Sequence, residues 1–389
     1  VPHARFPVRA PAFAGGCLTG FGVSWNLTNT GAIAPVLSHH YDVGLVVVGL
    51  LTSIAFLAEF VVMIPGGRAI DRFGARRVAM VSLGVCLLGN VLLLVAPGIV
   101  AALLLRWLIG FGVGAGFVAG SVWITASDVG RSPLGQGLFG GVSLAGAGLA
   151  TAIVPALEGT LGWRSSYWTA VAVTAAVVVV AALAPDAARG GPGERTPLLR
   201  MLGNPVLMRL GAVHSASFAF SVIAGNWVVT LFTRHLGLSY GAAGTAGGLT
   251  LILGIAGRPL GGWAARRFPS HTSALLAGSL VLAAAATAAL ALTSSVTVAC
   301  VAAAVLGLAA GAPFGACVDA AVVAFPRTPG EAIGAMNLYA VTTIVVGTPL
   351  VGASFSLRGD GRIGFAALAV ATVLAVAAVP RRVRSPVPA

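Results

Sequence analysis

GGRAIDRFG, residues 66–74, returns as GGWAARRFP at residues 261–269. At an offset of 195, Gly66 meets Gly261, Gly67 meets Gly262, Ala69 meets Ala264, Arg72 meets Arg267 and Phe73 meets Phe268. The same offset brings His40 onto His235 and Gly49 onto Gly244. Arg131-Ser132-Pro133 falls on Arg327-Thr328-Pro329 at 196, and Gly110 and Gly114 fall on Gly307 and Gly311 at 197. One coincidence would mean little. Several at nearly one offset, each after the same apolar stretch of its half, imply a unit duplicated in parallel. Parallel repeats around a site at the membrane midplane are a transporter architecture, in which one half rocks against the other.

The stretches around these motifs are suited to lipid. Of 389 residues, 58% are hydrophobic and 8% are charged, against about 25% charged in a soluble globular chain. The composition excludes a soluble enzyme, a disordered tail and a nucleic-acid binder, and leaves a polytopic helical membrane protein. Apolar stretches long enough to span a bilayer lie at 13–38, 43–65, 78–97, 99–126, 134–157, 165–185, 206–233, 241–264, 272–293, 296–324, 331–356 and 362–380. The one long polar gap, DAARGGPGERTPLLRMLGNP at 186–205, bisects the chain, and its Gly and Pro content marks a linker. The expected fold is an all-α membrane protein with twelve transmembrane helices in two pseudo-symmetric six-helix bundles, residues 1–185 and 206–389, joined by 186–205.

Net charge is +13 and every basic residue is Arg. With residue 1 placed in the cytoplasm, 18 arginines fall in cytoplasmic gaps and four (Arg164, Arg234, Arg358, Arg362) fall outside, with Arg106 within the membrane. That asymmetry puts both termini in the cytoplasm and makes the positive charge a topology signal rather than a nucleic-acid footprint. Arg258 is counted among the cytoplasmic set. Residues 1–12 lead into a full-length apolar segment, expected to be a span rather than a cleaved leader. The all-Arg, Ala/Val/Gly-rich composition suggests a GC-rich bacterium, hence a bacterial cytoplasmic (inner) membrane. Cys17, Cys86, Cys300 and Cys317 each lie in an apolar stretch, so neither a metal cluster nor a disulfide framework is expected.

Gly67-x-x-x-Asp71-Arg72-x-Gly74-x-Arg76-Arg77, between spans 2 and 3, resembles the loop motif of the major facilitator superfamily. Arg106-x-x-x-Gly110-x-Gly112-x-Gly114, Asp128-x-x-Arg131 and Gly162-Trp163-Arg164 are similar to further features of that family. The resemblance implies a gate built from Gly67, Asp71, Arg72, Gly74, Arg76, Asp128 and Arg131. In it Asp71 pairs with Arg131 and lies near the N-terminus of helix 11, and Asp128 completes a charge triad. Gly67 and Gly74 are expected to serve a tight turn. Arg266 stands where Asp71 does in the second copy, so the second loop is expected to be weaker. Gly141, Ala150, Pro155 and Gly159 fall at the spacing of the family's helix-5 antiporter motif, but Val154 and Glu158 replace two of its glycines. Pro155 is expected to let helix 5 bend. The family also implies a monomer, and a cavity lined by helices 1, 4, 7 and 10.

Charges within a span are costly, about 2.5–3.5 kcal/mol each on insertion scales, and functional by default. Glu59, deep in span 2, and Asp319, about two turns before the end of span 10, are candidate proton carriers. Arg106 matches a family arginine linked to proton coupling or anion binding, and snorkelling to the outer surface is its bland alternative. His214 is read as structural. The candidate solute contacts are Trp25, Asn26, Asn29 and Thr30 on span 1, Arg106 on span 4, Ser217, Ser221, Asn226 and Trp227 on span 7, and Asn337, Tyr339 and Thr343 on span 11; helix–helix hydrogen bonding is as good a reading of each of the uncharged residues alone. No nucleotide motif or other cofactor signature appears. The expected function is proton-coupled secondary transport of a small organic solute, with export of drug-like or secondary-metabolite molecules slightly preferred. Uptake of a small organic anion is the alternative within the class; a membrane receptor or lipid scramblase is the alternative outside it. The partners implied are the solute, protons and the bilayer.

Overall fold

The computed structural model describes residues 10–127, 130–186 and 197–381. Among the described residues twelve helices follow the apolar stretches. In the first half these are α1, with limbs Ala10–Thr28 and Ala34–Tyr41, α2 (Leu45–Phe73), α3 (Ala75–Leu93), α4 (Ile99–Trp123), α5 (Pro133–Ala156) and α6 (Ser165–Leu183). In the second half come α7, with limbs Pro205–His214 and Phe220–Leu236 around a π-helical turn Ser215–Ala219, α8 (Tyr240–Arg267) and α9 (Thr272–Leu292). They are followed by α10, with limbs Val296–Gly311 and Pro313–Ala324, α11 (Pro329–Ser354) and α12 (Arg362–Ala375). Among the described residues nine helices are long and apolar enough to cross a bilayer. The other three spans are the broken α1, the glycine-rich α8 and the short α12.

Three breaks have local causes. Pro313 cannot donate to the turn before it, and α10 divides there. The π turn widens α7 at one point without ending it. In α1 the last helical bond runs from Asn29 N–H to Trp25 O. The next two carbonyls, of Asn26 and Leu27, are taken instead by the Arg106 guanidinium at 2.7 and 3.3 Å.

The motif at 66–77 is mostly helix, not loop. α2 runs through Asp71 to Phe73, and the turn is confined to Gly74, whose φ of 90° suits glycine. Gly67 therefore serves a different purpose from the expected turn: a Cβ there would sit 2.3 Å from the Gly330 carbonyl oxygen.

The two halves meet along α2 with α11 and along α5 with α8. Glycines bring backbones together at both seams. A Cβ on Gly334 would strike the Met63 carbonyl at 2.2 Å, and one on Gly262 the Pro133 carbonyl at 2.2 Å. These approaches lie toward the arginine-rich face, where α2 and α8 end and α5 and α11 begin. The apolar core agrees. One cluster runs through the first half and across the seam, joining Met63, Ile64 and Ile70 to Ala332, Ile333 and Met336. A separate cluster, including Val228, Phe232, Leu290 and Phe365, fills the far-face part of the second half. The halves are thus packed into one core at the arginine-rich face and form separate cores away from it.

Gly67→Leu is expected to force α2 from α11. A cysteine placed at Met63, which is 1% exposed, should then react several-fold faster with a water-soluble maleimide than in the Gly67 parent; equal rates would show that the seam tolerates the side chain.

Candidate functional site

Polar chemistry gathers in three places. The first is the seam at the arginine-rich face. α11 begins at Pro329, and its N-cap residue, Thr328, provides no side-chain cap. The first N–H groups of a helix have no partner of their own. Here Asp71, from the other half, provides one: its two carboxylate oxygens accept from Gly330 N–H and Glu331 N–H, each at 2.9 Å. Beside it Arg68 Nε donates to Glu331 Oε1 at 2.8 Å. The repeat-related seam is built differently. Ser132 caps its own helix, α5, by accepting from Gly135 N–H at 3.2 Å, and Arg266 takes the place that Asp71 has. The expected contact of Asp71 with the start of helix 11 is present. Its expected pairing with Arg131 is not: Arg131 Nε donates to Thr125 O at 2.6 Å. Asp128 lies outside the described residues. Arg76 binds the Ala182 carbonyl at 2.6 Å at the end of α6, and Arg72 lies over Phe73 at 5.1 Å. Both are local ties within the first half. Pro155 stands one residue before α5 ends, so it closes the helix instead of bending it.

The second place is inside the first half. Arg106 is 0% exposed, which removes the snorkelling reading. Its guanidinium binds Leu51 O at 2.9 Å, Asn26 O at 2.7 Å, Asn29 Oδ1 at 3.3 Å and Leu27 O at 3.3 Å. It ties α4 to the broken turn of α1 and to α2, and among the described residues it pairs with no carboxylate. Asn26 and Asn29, expected at the cavity, are consumed in the same network. Asn26 Nδ2 donates to Gly22 O and Thr174 Oγ1, its Oδ1 accepts from Asn90, and Asn29 Nδ2 donates to Ser166 O at 3.0 Å. Packing took these amides because a buried donor left unpaired in lipid costs more than a lost solute contact. Thr30 lies 3.5 Å from Thr52. Trp25 is buried, with Nε1 unpaired among the described residues. Glu59 lies against the glycine face of α4, its Cγ 3.0 Å from where a Gly114 Cβ would be. Its Oε2 is buried and has no hydrogen-bond partner among the described residues.

The third place is the junction of both halves. Arg258 of α8 donates to the Gly140 carbonyl of α5 at 2.7 Å and lies 4.5 Å from the Phe314 ring and 5.2 Å from the Phe218 ring. Phe314 meets Phe117 of α4 edge-on at 6.4 Å. His214 stacks on Phe218 at 5.4 Å, and its Nε2 lies 3.2 Å from Asn337 Oδ1. Of the other expected contacts, Ser217 and Ser221 bond back to their own helix. Trp227 donates to Thr348 O at 2.9 Å and packs on Phe355. Tyr339 bonds Leu202 O, and Thr343 bonds Tyr339 O. Tyr339 and Trp227 are thereby spent on tying α11 to its neighbours. Asn226 is exposed. Asp319 is 5% exposed on the second limb of α10.

Sequence reasoning missed Arg258 because it was counted with the topology arginines. The signal was its position six residues inside the expected span 241–264, a depth at which an arginine needs a reason.

Residues 16–348 match the family model of the Major Facilitator Superfamily. The chain belongs to that superfamily. It is 30% identical over 220 residues to the inner membrane transport protein YdhP of Escherichia coli K12, a match covering 55% of this chain and 54% of that protein. The chain thus spans about half the length of the curated relatives it matches. The fold is similar to that of the E. coli fucose:proton symporter FucP, with a TM-score of 0.75 at 15% identity over 96% of this chain and 98% of that one. It is similar also to the human organic anion transporter MFSD10 (TETRAN), with a TM-score of 0.75 at 17% identity over 98% and 100% of the two chains. Membership of this superfamily makes the chain a multi-pass membrane protein.

Arg106→Gln is expected to strand carbonyls in the first half and to cost about 3 kcal/mol or more. Thermal unfolding in detergent should show a large drop beside a small one for the exposed Arg164→Gln; equal drops would deny Arg106 its tethering role.

Proposed function

We propose that this chain is a proton-coupled secondary transporter, moving a small organic solute across a bacterial cytoplasmic membrane by alternating access. The arginine-rich face and both termini lie in the cytoplasm. Three things support the reading. Membership of the superfamily supports transport by rocking of two halves. The arginine distribution supports the orientation. The likeness to a fucose:proton symporter fits proton coupling.

The single observation that carries the proton step is Glu59. A carboxyl group at the middle of α2, with one oxygen unpartnered and no basic partner among the described residues, can hold a proton in a closed state and release it when water reaches it. Its position against Gly114 of α4 links its surroundings to helix packing. Asp319, buried on α10 without an ion-pair partner among the described residues, is a second carrier by the same reasoning. Arg106 acts on this chemistry indirectly, by holding the α1 turn in place.

With the arginine-rich face closed, the pathway between the halves opens toward the outside. Asp71 and Arg68 hold that face closed through α11, and Gly67, Gly262 and Gly334 allow the close approach. A solute found by a melting screen of the purified chain, at two pH values, provides the assay. Reconstituted in proteoliposomes, the wild-type chain should accumulate or expel that solute when a pH gradient is imposed, and the polarity reads the direction. Glu59→Gln should abolish gradient-driven movement while leaving solute counterflow intact. Unchanged gradient-driven flux in this variant would remove Glu59 from the mechanism; lipid equilibration without solute flux would favour a scramblase.

A further inference from the structure

Arg258 is left unused by the proton step and by the gate. It lies nine residues before the end of α8, at membrane depth and 5% exposed. A buried guanidinium ordinarily has a carboxylate partner. Among the described residues Arg258 has none, and of the five N–H donors of a guanidinium it commits one, from Nη1 to the Gly140 carbonyl at 2.7 Å. Its other contacts are the rings of Phe314 and Phe218 at 4.5 and 5.2 Å. A carbonyl dipole and two ring faces offset part of the cost of holding a cation away from water. What the site lacks is negative charge.

A second observation points to a ligand. His214, fully buried, stacks on Phe218 and tilts against Phe314 at 5.7 Å. Asn337 fixes its Nε2, while its Nδ1 is buried with no partner among the described residues. The π-helical turn begins at the next residue and carries Phe218. Single widened turns of this kind concentrate at functional sites. Unspent donors, an unspent ring nitrogen and three aromatic rings, Phe117 among them, therefore meet where the halves meet.

We propose that Arg258 is the anion-recognising residue of the transport site, and that the solute carries a carboxylate, or a planar anion like it, on a small flat body that lies among Phe218, Phe314 and Phe117. This rests on the transport reading above and names its substrate class. A carboxylate takes two parallel N–H groups of a guanidinium. Nε and Nη2, uncommitted among the described residues, can provide that pair while Nη1 keeps the Gly140 carbonyl. The Arg258 to Gly140 bond runs from one half to the other, so the anion binds beside a tie across the seam.

The test uses the full chain in lipid nanodiscs, at equilibrium and with no pH gradient. Acetate, benzoate, phenylacetate and salicylate are titrated by calorimetry and melting, each beside its primary amide. At least one carboxylate should bind saturably while its amide does not. Arg258→Gln should abolish that binding, and Arg258→Lys, which keeps charge but loses the fork, should weaken it about tenfold or more. Size exclusion and helical circular dichroism check the variants; should Arg258→Gln not fold, Arg258→Lys and Phe314→Leu, both expected to bind more weakly, carry the comparison. No binding by any of the four acids, or equal binding in the wild type and the folded Arg258 variants, would overturn the proposal. The outcome is separable from the proton reading. Carboxylate binding through Arg258 stands even where Glu59→Gln leaves coupling unchanged, and gradient-driven flux stands even where no carboxylate binds.

Discussion

A helix that begins without its own cap is the constraint on which the closed face depends. The first N–H groups of α11 must find acceptors, and those they find belong to Asp71, on the other half of the molecule. Opening this face therefore removes a cap, leaving water to replace it. The repeat-related helix α5 carries Ser132 and caps itself, so parting α8 from it costs no cap. One seam is thus electrostatically latched, and the other is held by backbone approach at Gly137 and Gly262 and by the Arg258 to Gly140 hydrogen bond. Two copies of one unit have become unequal by the difference between Asp71 and Arg266.

The same economy of backbone groups explains the interior. In lipid no carbonyl can turn to water, so a helix can break only where something else accepts or donates. Arg106 allows α1 to break by taking the carbonyls that the helix releases. Arg258 takes the Gly140 carbonyl across the seam. Both arginines are buried cations held by carbonyls, yet they differ in how much of their donor capacity is committed. Arg106 makes bonds to four oxygens and reads as architecture. Arg258 makes one and rests on aromatic rings, which leaves it chemistry to do.

The fold was legible because duplication leaves matched residues at matched depth, and because apolar length is a strong signal in membranes. The contact of Asp71 with the start of helix 11 was legible through the family motif. Other readings failed for physical reasons. The motif at 66–73 looked like a loop because of its glycines and charges, whereas the helix continues and Gly67 serves close approach. Asn26 and Asn29 looked like solute contacts, since an amide at membrane depth is ambiguous until its neighbours are known; Arg106, Asn90, Thr174 and Ser166 claim them. Arg258 was hidden by its nearness to true topology arginines. Tyr339 and Trp227 were spent on carbonyls that only the fold brings near.

The central claim, that the two halves exchange closure between faces, is tested most directly by paired spin labels in a chain freed of its native cysteines. Arg72 and Arg327, both exposed, report the arginine-rich face, and the exposed Leu161 and Leu357 report the far face. Distances measured in nanodiscs at two pH values, with and without a bound solute, should move in opposite directions: the first pair lengthens as the second shortens. Distances that stay fixed at both faces under every condition, or that lengthen together, would contradict the account.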